Sequence, residues 1–509
     1  MQARKRRHLR EVEEAALDGG GATGHFAWLA AAAAAPSEGA GGPRKPAELT
    51  WRDYAIMLLH IASSIEHALM VQYLYAAYSL GGEQVPARHR AAVERWRAEI
   101  LAIAKEEMGH LLTVQNLLAL LGGPVELDRE DYPWDSQFYP APFTLAPLSR
   151  DMLAIYVYAE MPEQWADADK KEIVDRARRK ARCLGGDERP EVTRVGVIYQ
   201  SLIAILADHR RIPDAEFDPG SVAAQASWDE WGRGYRAGAR DAEVKVEIAA
   251  TRDEALEALR QIASQGESPD AVHRALAQYA EGDIPRAALH LQRRVRHEEE
   301  RARAAPEEER YQSHFARFLK IYRELEALRG DGEWSPARPL IVNPTVTAEV
   351  RRTRITDARS AIWANLFNLR YRMLLAYLTH ALLMARQDAG DEPLNRGAVM
   401  HRVFAEMYNL KTIAGILVRR PAGGDDGRFA GPPFEMPYTL VLPSMTRNRW
   451  RLHRELIGEA ASLKKQLRDL GELAHDEAGY LTAMADIDGQ ALGWLDALID
   501  GRPGRRAFQ

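Results

Sequence analysis

Two long amphipathic segments constrain the fold of this chain more than any other feature. Apolar residues recur every three or four positions over residues 53–80 and 86–121, which is the spacing of one buried face of an α-helix. Thr50 and Asp53 form a capping-box pattern before the first segment, and a pair of glycines follows each segment. The sequence therefore predicts a hairpin of two helices.

Helical patterns continue through the rest of the chain. They cover residues 150–161, 192–209, 252–264 and 307–328, and later 355–387, 397–418, 446–472 and 476–500. Residues 124–149 and 420–444 are predicted to be long loops, and residues 244–248 a short strand. Since no internal repeat and no regular alternation of strands with helices is present, the predicted class is all-α.

The length of the chain predicts more than one hydrophobic core. A chain of 509 residues exceeds the size at which single cores stop growing. Residues 1–48 are rich in Ala, Gly and Pro without a helical period, which predicts a disordered tail. We expect a helical bundle in residues 49–330 and a C-terminal helical region, packed on that bundle, in residues 331–509.

Charge and cysteine content exclude several classes of protein. The formal net charge is −5, with 68 basic and 73 acidic residues along the chain, so a nucleic-acid partner is not expected. Cys183 is the only cysteine, which excludes an intrachain disulfide and a metal site built on several thiolates. No stretch without charges is long enough to cross a membrane. We therefore expect a cytoplasmic location and no membrane partner, and homo-oligomerisation stays open.

The most informative side chains are acids and imidazoles on apolar helix faces, because burying them is costly unless they are paired or bound to a metal. Glu66 lies in the middle of the apolar stripe of the first helix. Glu107 and His110 lie on the stripe of the second helix, where Glu-x-x-His spacing places both on one face, one turn apart. Glu106 falls beside this stripe and is predicted to be solvated.

Later helices supply further candidates. Glu160 continues the apolar face of its helix, and His314 lies on an aromatic face. By itself His314 fits a core hydrogen-bond donor as well as a ligand. Glu163, beyond a proline, is a weaker candidate, and His209 is interpreted as structural.

Metal binding is the chemistry that these residues indicate. Carboxylate and imidazole ligands suit iron, while manganese and zinc stay open by ligand type. Iron fits a carboxylate-rich four-helix site best. Glu472 and His475 repeat the Glu-x-x-His spacing in a polar stretch and are interpreted as a solvated face. The alternative is a set of core polar groups satisfied by hydrogen bonds.

Several blocks of sequence resemble one known family. They are Ile65-Glu66-His67-Ala68 followed by Tyr73-Leu74-Tyr75-Ala76, Glu106-Glu107-Met108-Gly109-His110-Leu111, Ala159-Glu160-Met161-Pro162-Glu163, Gln265-Gly266-Glu267, Ser313-His314-Phe315 with Phe318, and Ala430-Gly431-Pro432-Pro433-Phe434-Glu435. Over residues 49–500 the chain resembles the ferritin-like proteins related to the ferritin-like portion of the iminophenyl-pyruvate dimer synthases of violacein, rebeccamycin and staurosporine-type pathways. The resemblance implies a ferritin-like four-helix bundle with additional C-terminal helices.

The resemblance also implies a set of metal ligands. These are Glu66, Glu107 and His110, completed by Glu160, Glu267 and His314. Two departures from the family pattern put a full two-metal set in doubt. The Gly-x-x-Tyr block that ends in Tyr199 lacks an acid, and Tyr311 stands where a second Glu-x-x-His would place its glutamate. Tyr199 and Tyr311 are therefore expected behind the ligands, and one or two metal ions stay open.

Three functions are compatible with these observations. The leading hypothesis is a non-haem iron oxidoreductase that activates dioxygen on a small, amino-acid-derived substrate in a biosynthetic pathway. The second is oxidative coupling of imine-type acids, as the resemblance implies. Those synthases are haem-associated, whereas this chain has no Cys-x-x-Cys-His motif, so haem is not expected. The third is a non-enzymatic helical scaffold.

Overall fold

The computed structural model describes most of the chain between residues 45 and 501. The described residues are 45–136, 138–162, 165, 168–185, 195–231, 244–266, 271–277, 279, 284–304, 313–328, 334–347, 353–384, 396–424 and 427–501. The predicted N-terminal tail therefore falls almost wholly outside them.

The described residues form helices joined by loops, which confirms the all-α prediction. The helices are α1 (Trp51–Ser79), α2 (Arg90–Leu120), α3 (Arg150–Glu160), α4 (Lys170–Cys183), α5 (Gly196–Ala207), α6 (Trp228–Trp231), α7 (Arg252–Gln265), α8 (Ala271–Ala277), α9 (Arg286–Ala304), α10 (His314–Ala327), α11 (Ala358–Leu382), α12 (Arg396–Leu417), α13 (Thr446–Asp469) and α14 (His475–Ile499). Within the described ranges, β-type pairing is limited to isolated bridges.

The first two helices form the predicted hairpin. The side chain of Thr50 accepts from the backbone N–H of Asp53, and the Asp53 side chain accepts from the backbone of Thr50, so the capping box is present. Gly81 and Gly122 follow the two helices with φ of 90° and 69°. Their left-handed backbone ends each helix at little steric cost.

Two hydrophobic cores share this hairpin. The first core joins α1 and α2 to helices α3–α5 and α7–α10, and the second joins the same two helices to α11–α14. In α2, for example, Val114 and Leu117 face the first core, whereas Leu111 and Leu112 face the second. The predicted domain boundary at residue 330 stays a prediction.

Burial on both sides explains the composition of α1. This helix is long and apolar enough to cross a membrane, but 67% of its most apolar window is buried inside the protein. A helix that faces a core on two sides must be apolar nearly all round. The composition of α1 is therefore that of a central core helix.

The short strand predicted at residues 244–248 is wrong, because among the described residues no β-bridge includes this segment. The segment lies along α2, whose side chains form hydrogen bonds with its backbone. Thr113 accepts from the N–H of Glu247 at 3.1 Å, and Asn116 donates to its carbonyl at 2.8 Å. Gly109 permits this approach, since a Cβ there would lie 2.4 Å from the carbonyl oxygen of Lys245.

Three helices in the first core were not predicted from the sequence. They are α4, α8 and α9. In α4 the buried stripe consists of Ile173, Ala177 and Ala181 among eleven other residues, nearly all charged or polar. The stripe is regular but contains little apolar surface, so the helix depends on packing against α3.

The second core contains two clusters of buried polar side chains. Arg370 contacts Glu406 at 3.2 Å and Asp488 at 3.0 Å, and all three are buried. Nearby, Nδ1 of His380 lies 3.1 Å from Nε2 of His453, and both rings are fully buried. These clusters join α11, α12, α13 and α14 through contacts that depend on ionisation.

Candidate metal centre

Five of the six predicted ligands come together inside the first core. Glu66 lies on α1, Glu107 and His110 on α2, Glu160 at the end of α3 and His314 at the start of α10, and each is at most 3% exposed. The ends of two helices thus meet the middles of two others, as in a four-helix carboxylate site.

Local sequence explains the two helix ends. Met161 adopts extended backbone because it precedes a proline, so α3 stops at Glu160. The side chain of Ser313 accepts from the N–H of Ala316 and caps α10, whose first residue is His314. The helix capped at Ser313 starts later than the residues 307–328 expected from periodicity.

Glu107 lies at the centre of the site and faces both histidines. Its Oε2 is 2.9 Å from Nδ1 of His110, and its Oε1 is 3.1 Å from Nδ1 of His314. Glu66 completes one group of three with Glu107 and His110, and Glu160 completes the other with Glu107 and His314. Within each group, potential ligand atoms lie within 4.8 Å of one another. The site therefore offers two adjacent metal positions that share one carboxylate.

Two tyrosines orient the outer carboxylates. Tyr199 donates its hydroxyl to Oε1 of Glu66, and Tyr73 donates to Oε1 of Glu160 at 2.6 Å. Each tyrosine thus holds one carboxylate oxygen, and the other oxygen faces a histidine, His110 for Glu66 and His314 for Glu160. The structure places Tyr199 behind a predicted ligand, as expected, whereas for Tyr73 the sequence indicated only a place in a block that resembles the family.

The histidines are held from behind by different partners. Nε2 of His314 lies 2.9 Å from Oε2 of Glu106, which also accepts from Arg317 at 2.5 Å. Nε2 of His110 lies 3.0 Å from Oε1 of Gln265. The prediction that Glu106 is solvated is wrong, since its side chain is 17% exposed and contacts both His314 and Arg317. The side chain of Glu106 extends from the side of α2 to contact α10, and helical periodicity alone does not reveal this contact.

Burial and mutual electrostatic interactions shift the pKa of every acid and imidazole in this cluster. Burial, together with the charge of Glu107, raises the pKa of Glu66 and Glu160 to about 7. Burial acts on Glu107 in the same direction, but the two facing histidines hold its pKa well below the usual value. Burial alone would lower the pKa of the two histidines, but the negative charge of the carboxylates outweighs it. The pKa of His314 is raised to about 10, and the pKa of His110 is raised as well.

Several inward-facing atoms make no hydrogen bond of regular geometry among the described residues. They are Oε2 of Glu66, Oε1 of Glu107, Oε2 of Glu160 and Nδ1 of His314, although Oε1 of Glu107 and Nδ1 of His314 lie 3.1 Å apart. Buried polar atoms of this kind call for an explanation, and a bound cation provides one. Gly266 leaves room beside them, because a Cβ there would lie 3.5 Å from Nδ1 of His314 and 3.8 Å from Oε2 of Glu160. The donor set fits iron, manganese or zinc.

Three of the remaining candidates, Glu267, Tyr311 and the weaker candidate Glu163, lie outside the described residues. Glu472 and His475 are exposed, which confirms that this second Glu-x-x-His pair is solvated. His209 is exposed too and lines a surface cavity of about 640 Å³ next to the start of α7.

Comparisons with known proteins agree with this architecture. The model of the ferritin-like family matches residues 59–323, which is more than half of the chain. Dichlorochromopyrrolate synthase of Lentzea aerocolonigenes is 25% identical over 425 residues, covering 77% of this chain and 37% of that protein. The 2-imino-3-(indol-3-yl)propanoate dimerase of Chromobacterium violaceum is 31% identical over 161 residues, covering 26% of this chain and 15% of that protein.

These relatives confirm the resemblance inferred from the sequence blocks. The aligned part of the chain spans well under half the length of either relative. No solved structure matches the chain. On the extent of the family match and the helical bundle that carries it, the chain belongs to the ferritin-like family.

Proposed function

We propose that this chain is an oxidoreductase that holds two iron ions on either side of Glu107 and oxidises a small, amino-acid-derived substrate with dioxygen. The observation that carries the proposal is the convergence of two further buried glutamates and two buried histidines on Glu107, in two groups whose potential ligand atoms lie within 4.8 Å of one another. Several of their inward-facing atoms make no regular hydrogen bond among the described residues. Iron is preferred to manganese and zinc because the proposed reaction transfers electrons to dioxygen.

The side chains have distinct tasks in this proposal. Reduced iron, when bound, supplies the electrons for dioxygen chemistry. Glu107 would supply a ligand to each of the two positions, and Glu66 with His110 and Glu160 with His314 would hold the ions. Tyr73 and Tyr199 fix the orientation of the outer carboxylates through their hydrogen bonds. Burial excludes bulk water from the site, so that water does not compete with a metal ion for the ligand atoms.

The relatives narrow the class of substrate. One relative is named for the chlorinated chromopyrrolate that it makes, and the other for an indole-bearing imino acid that it dimerises. We therefore propose an aromatic, amino-acid-derived imine or 2-oxo acid as substrate. A cytoplasmic location belongs to the same proposal, in keeping with the single, exposed cysteine Cys183.

Oxidative coupling of two imino acids is the second candidate. The name of the Chromobacterium violaceum relative favours it, since that protein is described as a dimerase. Coupling and monomer oxidation differ in their product mass, so a single assay separates them.

The test is an oxygen-consumption assay on iron-loaded protein. The chain is loaded with Fe²⁺ under anaerobic conditions and mixed with aerated 2-imino-3-(indol-3-yl)propanoate, and the products are identified by mass spectrometry. We expect oxygen uptake that depends on the imino acid and is lost in Glu107→Gln. A dimeric product would support coupling, and a monomeric one the leading proposal. Iron binding without oxygen uptake across a panel of aromatic imines and 2-oxo acids would refute the oxidoreductase activity.

A further inference from the structure

The candidate metal centre consists of two half-sites that mirror each other about Glu107. Each half contains one oxygen of that carboxylate, one further glutamate and the Nδ1 atom of one histidine. The first half uses Glu66 and His110, and the second uses Glu160 and His314. We call these the His110 half and the His314 half.

The carboxylates of the two halves are matched in their surroundings. Glu66 and Glu160 are both buried, and each accepts a hydrogen bond from a tyrosine hydroxyl. The second oxygen of each lies near the histidine of its half, 3.4 Å from Nδ1 of His110 for Glu66 and 3.9 Å from Nδ1 of His314 for Glu160. The two carboxylates therefore have the same charge and the same kind of neighbours.

The histidines are not matched, because their outer nitrogens face groups of different charge. In the His314 half, Nε2 faces the carboxylate of Glu106 at 2.9 Å. In the His110 half, Nε2 faces the neutral amide oxygen of Gln265 at 3.0 Å. The two contacts have nearly the same length, so charge is the property that distinguishes them.

Arg317 does not cancel the charge of Glu106. Its guanidinium contacts Glu106 at 2.5 Å and is shared with a second carboxylate, that of Glu99. Two carboxylates with one guanidinium leave a net negative charge behind His314. An imidazole that donates to an anion is a stronger electron-pair donor through its other nitrogen than one that donates to a neutral amide.

We propose that the two metal positions are unequal, and that the His314 half binds the first ion more tightly than the His110 half binds the second. The inference rests on the proposed binding of two metal ions and adds an order of loading to it. Outer partners of ligating histidines typically change metal affinity by about 10- to 100-fold. We therefore expect the two dissociation constants to differ by at least about 10-fold.

The experiment is an anaerobic titration of the full chain with ⁵⁷Fe²⁺. Free and bound iron are separated by equilibrium dialysis, and Mössbauer spectra are recorded at one and two equivalents. We expect a biphasic isotherm, with one quadrupole doublet holding most of the iron at one equivalent and two doublets of equal area at two. Equal binding of both ions in one step, with both environments filled together at one equivalent, would overturn the inequality.

Two reciprocal variants assign the steps. Glu106→Gln keeps the side-chain shape and the hydrogen-bond acceptor but removes the charge. The dissociation constant of the tighter step should therefore rise about 10-fold or more and approach that of the weaker step. Gln265→Glu adds the missing charge behind His110, so the weak step should tighten. If both variants fold, as judged by circular dichroism, and leave both steps unchanged, the outer partners do not set the order and the inference fails.

This titration also separates the inference from the proposed function. A wild-type chain that binds no iron would refute the proposed metal centre and the inference with it. A chain that binds two irons with equal affinity would refute only the inference.

Discussion

Glu107 and His110 lie one turn apart on α2, with Oε2 of the glutamate 2.9 Å from Nδ1 of the histidine. The other oxygen of the same carboxylate faces His314. Glu107 thus belongs to both halves of the metal centre, whereas His110 belongs to one. This difference in position makes the two residues separable by experiment.

Removing Glu107 should therefore have a larger effect on metal content than removing His110. In Glu107→Gln we expect loss of both irons, because each position loses a ligand and the centre loses its bridge. In His110→Ala we expect loss of one iron, with the Glu160 and His314 position still occupied. Elemental analysis of iron-loaded, folded protein measures both outcomes.

The second Glu-x-x-His pair provides a matched control for this comparison. Glu472 and His475 have the same spacing, but both are exposed. His475 is the first residue of α14, and Glu472 lies in the loop before it. Glu472→Gln should leave the iron content unchanged. If Glu107→Gln retained its iron, the buried acids would be structural and the proposed metal centre would be lost.

The tyrosine hydroxyls should matter for metal affinity more than for folding. In Tyr73→Phe the carboxylate of Glu160 loses its orienting hydrogen bond, and we expect metal binding about 10-fold weaker in that half. The loss in folding stability should be about 1 kcal/mol. Tyr156→Phe is the control, since Tyr156 is equally buried but its hydroxyl has no hydrogen-bond partner within the described structure. Equal iron affinity in the two variants would contradict this role for Tyr73.

The buried ion cluster of the second core should be sensitive to removal of its central cation. Arg370→Ala leaves Glu406 and Asp488 buried without that partner, and we expect a loss of about 3–5 kcal/mol in unfolding free energy. Arg454→Ala breaks a pair with Asp496 whose side chains are 51% and 45% exposed, and should cost less than about 1 kcal/mol. Urea unfolding followed by circular dichroism measures the difference, and comparable losses would argue against a structural role for the cluster.

Acid should loosen the second core through its histidine pair. Burial, assisted by Arg449, lowers the pKa of His380 from 6.5 to about 4. A folded-state pKa below the unfolded value gives stability that is complete above about pH 6.5 and is lost as the pH falls towards 4. The loss attributable to His380 should reach about 3 kcal/mol. The thermal midpoint of His380→Gln should therefore fall less on acidification than that of the wild type, and parallel curves would contradict the prediction.

Much of the fold follows from periodicity in the sequence. The hairpin and the four C-terminal helices have broad apolar stripes with glycine, proline or polar stops, and these signals depend only on residues near in sequence. The same signal placed Glu66, Glu107 and Glu160 on inward faces. Inward-facing acids on separate helices were enough to indicate one shared centre.

The contacts behind the ligands could not be predicted in this way. Glu106 lies beside the apolar stripe of its helix, and only the approach of α10 turns it towards His314. Gln265 is an uncharged residue at the end of a helix, with nothing in its local sequence to indicate a histidine partner. Such contacts join residues far apart in sequence, so their signal appears only when the helices are packed.

The helix hairpin that carries three of the candidate ligands is packed on two sides. On one side it holds Glu66, Glu107 and His110 in the first core, and on the other Val71 and Tyr75 lie in the second. The hydroxyl of Tyr75 also donates to the carbonyl of Ile341, beyond the end of the first bundle. A chain cut near residue 330 would leave this apolar side bare and prone to aggregate. The part of the molecule that holds the candidate metal centre therefore depends on the C-terminal helices for its packing, and an engineered minimal version must keep both parts.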